Sequence, residues 1–134
     1  MRVGISGSRS ITDQDWVDSN LDSILNGLRD RSPNGIVLLV GGAKGADSCV
    51  ASYAKERSID TVLFKPYHMV DNKAPYNARY FFSRNKQIVD NSDFVIILWD
   101  GKSRGTGWTL EYAEQVKKDR MARFVYQRPY GLPE

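Results

Sequence analysis

The sequence predicts an α/β fold: a five-stranded, mainly parallel sheet with helices on both faces. Three observations predict it. Short apolar runs alternate with longer stretches of helical period along the chain, the pattern of repeated strand–helix units. The run "DFVIILWD" (93–100) is apolar almost throughout, as suits a strand covered on both sides. Three strand ends also share one chemistry of glycine, hydroxyl or acid, and base: "SGSRS" (6–10), "GGAKGAD" (41–47) and "DGKSRGTG" (100–107). In an open parallel sheet the carboxyl ends of all strands lie on one edge, where such folds bind ligands.

The elements follow in order. "RVGIS" (2–6) reads as the first strand, and "TDQD" offers a cap for a helix carrying Val17, Leu21, Ile24, Leu25 and Leu28 on one face. "GIVLLV" (35–40) is the second strand, running into a helix with Ala46, Cys49, Val50, Tyr53 and Ala54 on one stripe. "DTVLFK" (60–65) is the third strand, then an irregular piece with Pro66 and Pro75 leads to a helix from about Tyr76 to Val89. "DFVIILWD" is expected at the centre of the sheet. A helix from about Thr106 to Lys118 and the strand "ARFVY" (122–126) complete the order, and "QRPYGLPE" reads as loop.

The length of 134 residues fits one domain, 1–134, able to bury a core without disulfides or a structural metal. Hydrophobic residues make up 41% and charged residues 26%, which excludes a disordered chain. The net charge of +3 arises from interleaved acids and bases, so nucleic acid binding is permitted without being favoured. The start "MRVGISGSRS" holds no apolar run of signal-peptide length, and no run approaches the ~20 residues of a membrane span. The single Cys49 falls on an apolar stripe and suits a reducing compartment. A cytoplasmic protein without membrane partners is expected. His68 has no cysteine or histidine near it, so neither metal nor cofactor is expected.

The glycine-rich loops suit an anion. A helix N-terminus presents unpaired N–H groups and the positive end of the helix dipole, and glycine lets a ligand approach that backbone. Arg9, Lys44 and either Lys102 or Arg104 add positive charge, while Ser8, Ser103 and Thr106 add hydroxyl donors. One exposed helix terminus contributes only about 0.3–1 kcal/mol, so several loops must converge to bind an anion well. The pattern GxxxxGK[ST] is absent, as is GxGxxG with its acidic partner, which disfavours a P-loop NTPase and an ordinary NAD enzyme. On the helix near position 80, Arg84 and Asn85 share the face of Phe81 and Ile88, so a charge points toward the core. It must meet a carboxylate, a backbone carbonyl or a bound anion. Asp100, at the end of the fourth strand, is the first partner to expect.

Together "GSRS", "GGAKGAD", "RN" ahead of "SDFVIILWDGKSRGT", and "GTGWTLEYA" resemble the SLOG superfamily, which includes DprA-type and LOG-type proteins, nearest its short YspA-like branch. The likeness runs from about Val3 to Val125. It implies a three-layer Rossmann-like fold with a nucleotide or nucleotide-derived ligand at the carboxyl edge. Around it would lie Gly7, Ser8 and Arg9; Gly41, Gly42, Lys44, Gly45 and Asp47; Arg84 with Asn85; and Gly105 with Thr106. The extra glycines would leave room for a phosphate or ribose against bare backbone. LOG-type enzymes, which cleave the bond between base and ribose phosphate, carry a glutamate where Thr109 stands here. Glu111, two residues further, lies about 200° round the helix.

The leading reading is a sensor or sequestering protein for a nucleotide-like small molecule, such as an ADP-ribose or NAD relative. The alternative is an N-glycosidase or nucleoside transferase, with Glu111 or Asp100 as nucleophile or base and Arg84 holding the phosphate. A third reading is single-stranded DNA binding through Arg2, Arg9, Lys44 and Arg104, with Trp99, Trp108 or Tyr76 as stacking platforms. The aromatic "YFF" (80–82) exceeds what one helical face buries, so a homodimer is expected.

Overall fold

The computed structural model describes residues 1–66 and 78–127. Their elements run β1 (Arg2–Gly7), α1 (Gln14–Arg29), β2 (Val37–Val40), α2 (Ala46–Glu56), β3 (Asp60–Leu63), α3 (Ala78–Asp90), β4 (Phe94–Trp99), α4 (Arg104–Val116) and β5 (Met121–Val125). All strand pairings are parallel, in the order β3-β2-β1-β4-β5. The middle place thus belongs to β1, not to the more apolar β4, which lies between β1 and β5. β4 is nonetheless buried on both faces, and its alternation shows why it is so apolar. Ile96 and Leu98 join the cluster built on α1 and α2, while Val95 and Ile97 join the one with Val89 of α3 and Leu110 and Ala113 of α4. Two helices therefore cover each face.

Local chemistry sets the element ends. Asp13 stands at the N-cap of α1 and its carboxylate accepts from the Trp16 amide at 3.1 Å. The same carboxylate accepts from the Tyr126 hydroxyl at 3.1 Å, tying the start of α1 to the residue after β5. Asp13→Ala is expected to lower stability by about 1–2 kcal/mol, read as a lower urea midpoint with unchanged slope. On the opposite face α3 comes close to β1 at Gly4, where a Cβ would lie 2.9 Å from Ile88 Cγ2. Cys49 is buried, as its place on the stripe of α2 predicts.

Several boundaries differ from expectation. β3 ends at Leu63 and is exposed at every position, as an edge strand with α2 on one side. α4 begins at Arg104, two residues earlier than the helical period suggests, because the small residues of "RGTG" show no periodicity to read. The expected starts and loops at Pro75, Tyr76 and 128–134, together with His68, lie outside the described residues. Among the described residues no helix is long and apolar enough to cross a membrane.

Candidate functional site

The strand order reverses between β1 and β4, and there the chain leaves the sheet edge in opposite directions, opening a crevice. A cleft of about 710 Å³ occupies it, within the ~300–1,000 Å³ of small-molecule sites. The end of β1 contributes Gly7, Arg9 and Ser10; the end of β4 and the start of α4 contribute Asp100, Ser103, Arg104, Gly105 and Thr106. The turn before α2 supplies Ala43 and Asp47, and α3 supplies Phe81, Phe82, Arg84 and Asn85. α4 opens toward this cleft with its first helical amides unspent: Ser103 makes no side-chain cap, and Gly107 is the first to bond back, to the Ser103 carbonyl at 3.1 Å.

Arg84 is 95% buried by its 5% exposure, and its partners are neutral. Nε donates to Asn85 Oδ1 at 2.7 Å, and Nη1 donates to the Gly41 carbonyl and to the Phe64 carbonyl at 3.3 Å. Asn85 in turn donates to Thr109 Oγ1 at 3.1 Å, and that hydroxyl donates to the Gly105 carbonyl at 2.9 Å. The threonine where LOG-type enzymes carry glutamate thus links α4 to the arginine. Burial lowers the Arg84 pKa, Asp47 opposes that shift, and the nearby Arg9 cation adds to it. The guanidinium also sits over the Phe81 ring at 5.5 Å, with Arg9 over the same ring at 5.1 Å.

Asp47 is the acidic counterpart. Burial raises its pKa to about 6, against the Ala43 N–H bond and the Arg84 and Arg9 charges, which lower it. Its Oδ2 accepts from the Ala43 amide at 3.0 Å, whereas the buried Oδ1 has no hydrogen-bond partner among the described residues. Asp100 behaves oppositely. Burial alone would raise it, but bonds from the Ser10 hydroxyl (2.6 Å) and from the Ser103 and Lys102 amides (2.8 Å each) outweigh this and lower it to about 2.

Residues 1–68, which span β1 to β3 and the first two glycine-rich loops, match the family described as YAcAr, the YspA, cpYpsA-related SLOG family. The chain belongs to that family. Its 68 matched residues are half of the 134. The SLOG fold recurs in solved structures. DNA processing protein A from Helicobacter pylori, studied for its single-stranded DNA binding mode, matches with a TM-score of 0.64 and 23% identity over 98% of this chain and 67% of that one. DNA processing protein A (DprA) from Streptococcus pneumoniae matches with a TM-score of 0.67 and 20% identity over 97% of this chain and 51% of that one. This chain therefore spans about half the length of the second and two thirds of the first. No curated protein is similar enough to count as a match.

Not every residue expected at this SLOG site lines the cleft. Gly7, Arg9, Asp47, Arg84, Asn85, Asp100, Ser103, Gly105 and Thr106 converge on it. Gly41, Gly42 and Lys44 line a smaller adjoining hollow of about 370 Å³ that shares Arg9, Phe81 and Arg84 with the main cleft. Ser8 is 1% exposed and lies behind the wall: its hydroxyl meets Ser103 Oγ at 2.7 Å and accepts from the Asp100 amide at 3.0 Å. It fastens loops together. Glu111 is exposed on α4 and does not line the cleft.

One further expectation is corrected. Asp100 does not pair with Arg84; its oxygens are spent on its own loop and on Ser10, while the arginine takes carbonyls from the opposite wall. The extra glycines also make room for the protein's own groups. A Cβ on Gly41 would lie 2.6 Å from Arg84 Nη1, and one on Gly45 would lie 2.2 Å from the Arg9 carbonyl oxygen, where a φ of +79° already favours glycine. The spacing of glycines reveals close approach but not what approaches. Sequence reasoning also missed Phe82 and Ser10 as lining residues. The signal for Phe82 was its place on the helical turn before Asn85.

Proposed function

We propose that this SLOG-family chain binds a nucleotide or nucleotide-derived small molecule in the cleft, as a sensor or sequestering protein without chemistry of its own. One observation carries the reading: a buried arginine beside a second cation, satisfied only by neutral acceptors and with no ion pair among the described residues, at the floor of a cleft of ligand size. Two cations face one carboxylate, Asp47, so an anion there meets a net positive wall, and the open amides at the start of α4 supply further donors. A carboxylate held near pKa 2 with its oxygens occupied is a poor base, and an exposed Glu111 away from the cleft has no substrate to act on. These points favour binding over glycosidase chemistry.

The test is a panel of mononucleotides, dinucleotides and ADP-ribose derivatives, read as thermal midpoint and by chromatography. At least one should raise the midpoint saturably, with no free base released. No shift across the panel overturns the reading, and release of base turns it into the enzymatic one. Binding that collapses steeply between low and moderate salt would instead indicate single-stranded DNA. The same reading has the chain act as one domain, in the cytoplasm and as a homodimer. Sedimentation at micromolar concentration tests the dimer, and a monomer mass would end it.

A further inference from the structure

The cleft has two chemically different walls. Phe81 and Arg84, three apart on α3, face the cationic side with Arg9. Phe82 and Asn85, also three apart, face α4, where Asn85 bonds Thr109 and Phe82 stacks on Trp108. The Phe82 and Trp108 rings lie 5.1 Å apart at 28°, and Trp108 stacks in turn on Tyr112 at 5.7 Å and 5°. Tyr112 is pinned by its hydroxyl on the Asp90 carboxylate, and that carboxylate also pairs with Lys86 at 3.7 Å. Trp108 thus stacks with a ring from each of the two helices. Phe82, at the end of the row, lines the cleft, as does Phe81 on the cationic side, and among the described residues Trp108 is the one aromatic or cationic partner of Phe82. The first turn of α4 keeps the approach open, since Gly105 carries no side chain and even a Cβ there would stay 3.8 Å from the Phe82 ring.

We propose that Phe82 is the base-stacking residue of the site, so that the cleft selects a nucleobase-bearing phosphate over a bare sugar phosphate. This rests on the proposed function and adds to it. A flat apolar ring stacked on Trp108, itself stacked on Tyr112, and standing beside a cationic wall complements a ligand with a planar aromatic end and an anionic end. The backing row matters because a ring held in place loses little rotamer freedom when a base settles on it. Aromatic side chains under bases contribute enough that their removal costs about ten- to hundredfold in affinity.

The experiment is calorimetric titration of the full chain with AMP and with ribose 5-phosphate. The wild type should bind AMP about tenfold or more tightly than ribose 5-phosphate. Phe82→Leu, which keeps apolar volume and removes the flat face, should erase that preference by weakening AMP alone. Phe82→Trp, which enlarges the face, should retain it, and serves as the control if the leucine variant folds poorly by circular dichroism. Equal wild-type affinity for the two probes, or a leucine variant with its preference intact, overturns the stacking role while the cleft remains a phosphate site. Failure of both probes to bind wild type overturns this role, while the nucleotide reading itself falls only if the wider panel also fails.

Discussion

Arg84→Met is expected to weaken binding of a phosphate-bearing ligand by about a hundredfold or more, since truncating one member of a buried, hydrogen-bonded charge pair costs about 2–5 kcal/mol. Methionine keeps an apolar stem and deletes the guanidinium that sits over Phe81. The carbonyls of Gly41 and Phe64 and the amide of Asn85 then lose their donor. Each unsatisfied group costs about 1–3 kcal/mol when fully buried. Because Arg84 lines an open cleft, water can replace part of what is lost, and a stability loss of about 2 kcal/mol is expected. Arg84→Lys should fall between the two, keeping the charge but not the planar group that sets Nε on Asn85 and Nη1 on the carbonyls at once. Titration calorimetry beside urea unfolding separates the effects. A methionine variant that loses stability but keeps ligand affinity would assign the arginine to holding the second loop alone.

Asp47→Asn is expected to stabilise the unliganded protein at pH 7.5. The unfolded carboxyl ionises near its ordinary 3.8, whereas the folded one, desolvated, ionises only at about 6. Between those values the folded chain holds a proton that the unfolded chain has released, so stability from this group is full below the lower value, falls as pH rises through the window, and is flat above it. At 1.36 kcal/mol for each unit, the burial of the charge costs about 3 kcal/mol at neutral pH. Asparagine keeps an acceptor for the Ala43 amide and has no charge to bury. The variant should therefore gain about 1–3 kcal/mol at pH 7.5, several degrees in thermal midpoint, and the gain should vanish near pH 4. A variant less stable than wild type at pH 7.5 would mean that attraction to Arg84 and Arg9 outweighs desolvation. A group kept at such a cost beside an unpartnered Oδ1 is typical of sites that trade stability for function.

Much of the fold was legible because burial follows period. Val17, Leu21, Leu25 and Leu28 recur at helical spacing and are the buried residues of α1, and the apolar run of 93–100 is the doubly covered β4. What period does not encode is which strand takes the middle, since β1 needs only Val3 and Ile5 on one face and a glycine on the other to sit there. The site was legible as a set of loops and illegible as a set of bonds. Arg84 could be placed inside, but its acceptors are backbone carbonyls, which every residue carries and no letter announces. Ser8 and Ser103 both read as ligand hydroxyls. One of them is consumed in joining the loops, because two hydroxyls that each suit a phosphate also suit one another.

Ser8 has a wider consequence. Its carbonyl accepts from Ala46 of the second loop at 3.1 Å, its amide donates to Leu98 of β4 at 2.9 Å, and its hydroxyl reaches Ser103 and Asp100 of the third. One buried serine thus couples three segments that are distant along the chain. They cannot spread independently, so the mouth keeps its width before any guest arrives and little ordering is left to be lost on association. Affinity is then governed by the fit of the guest to a preset aperture, and evolution could retune that guest by exchanging wall residues without rebuilding the frame.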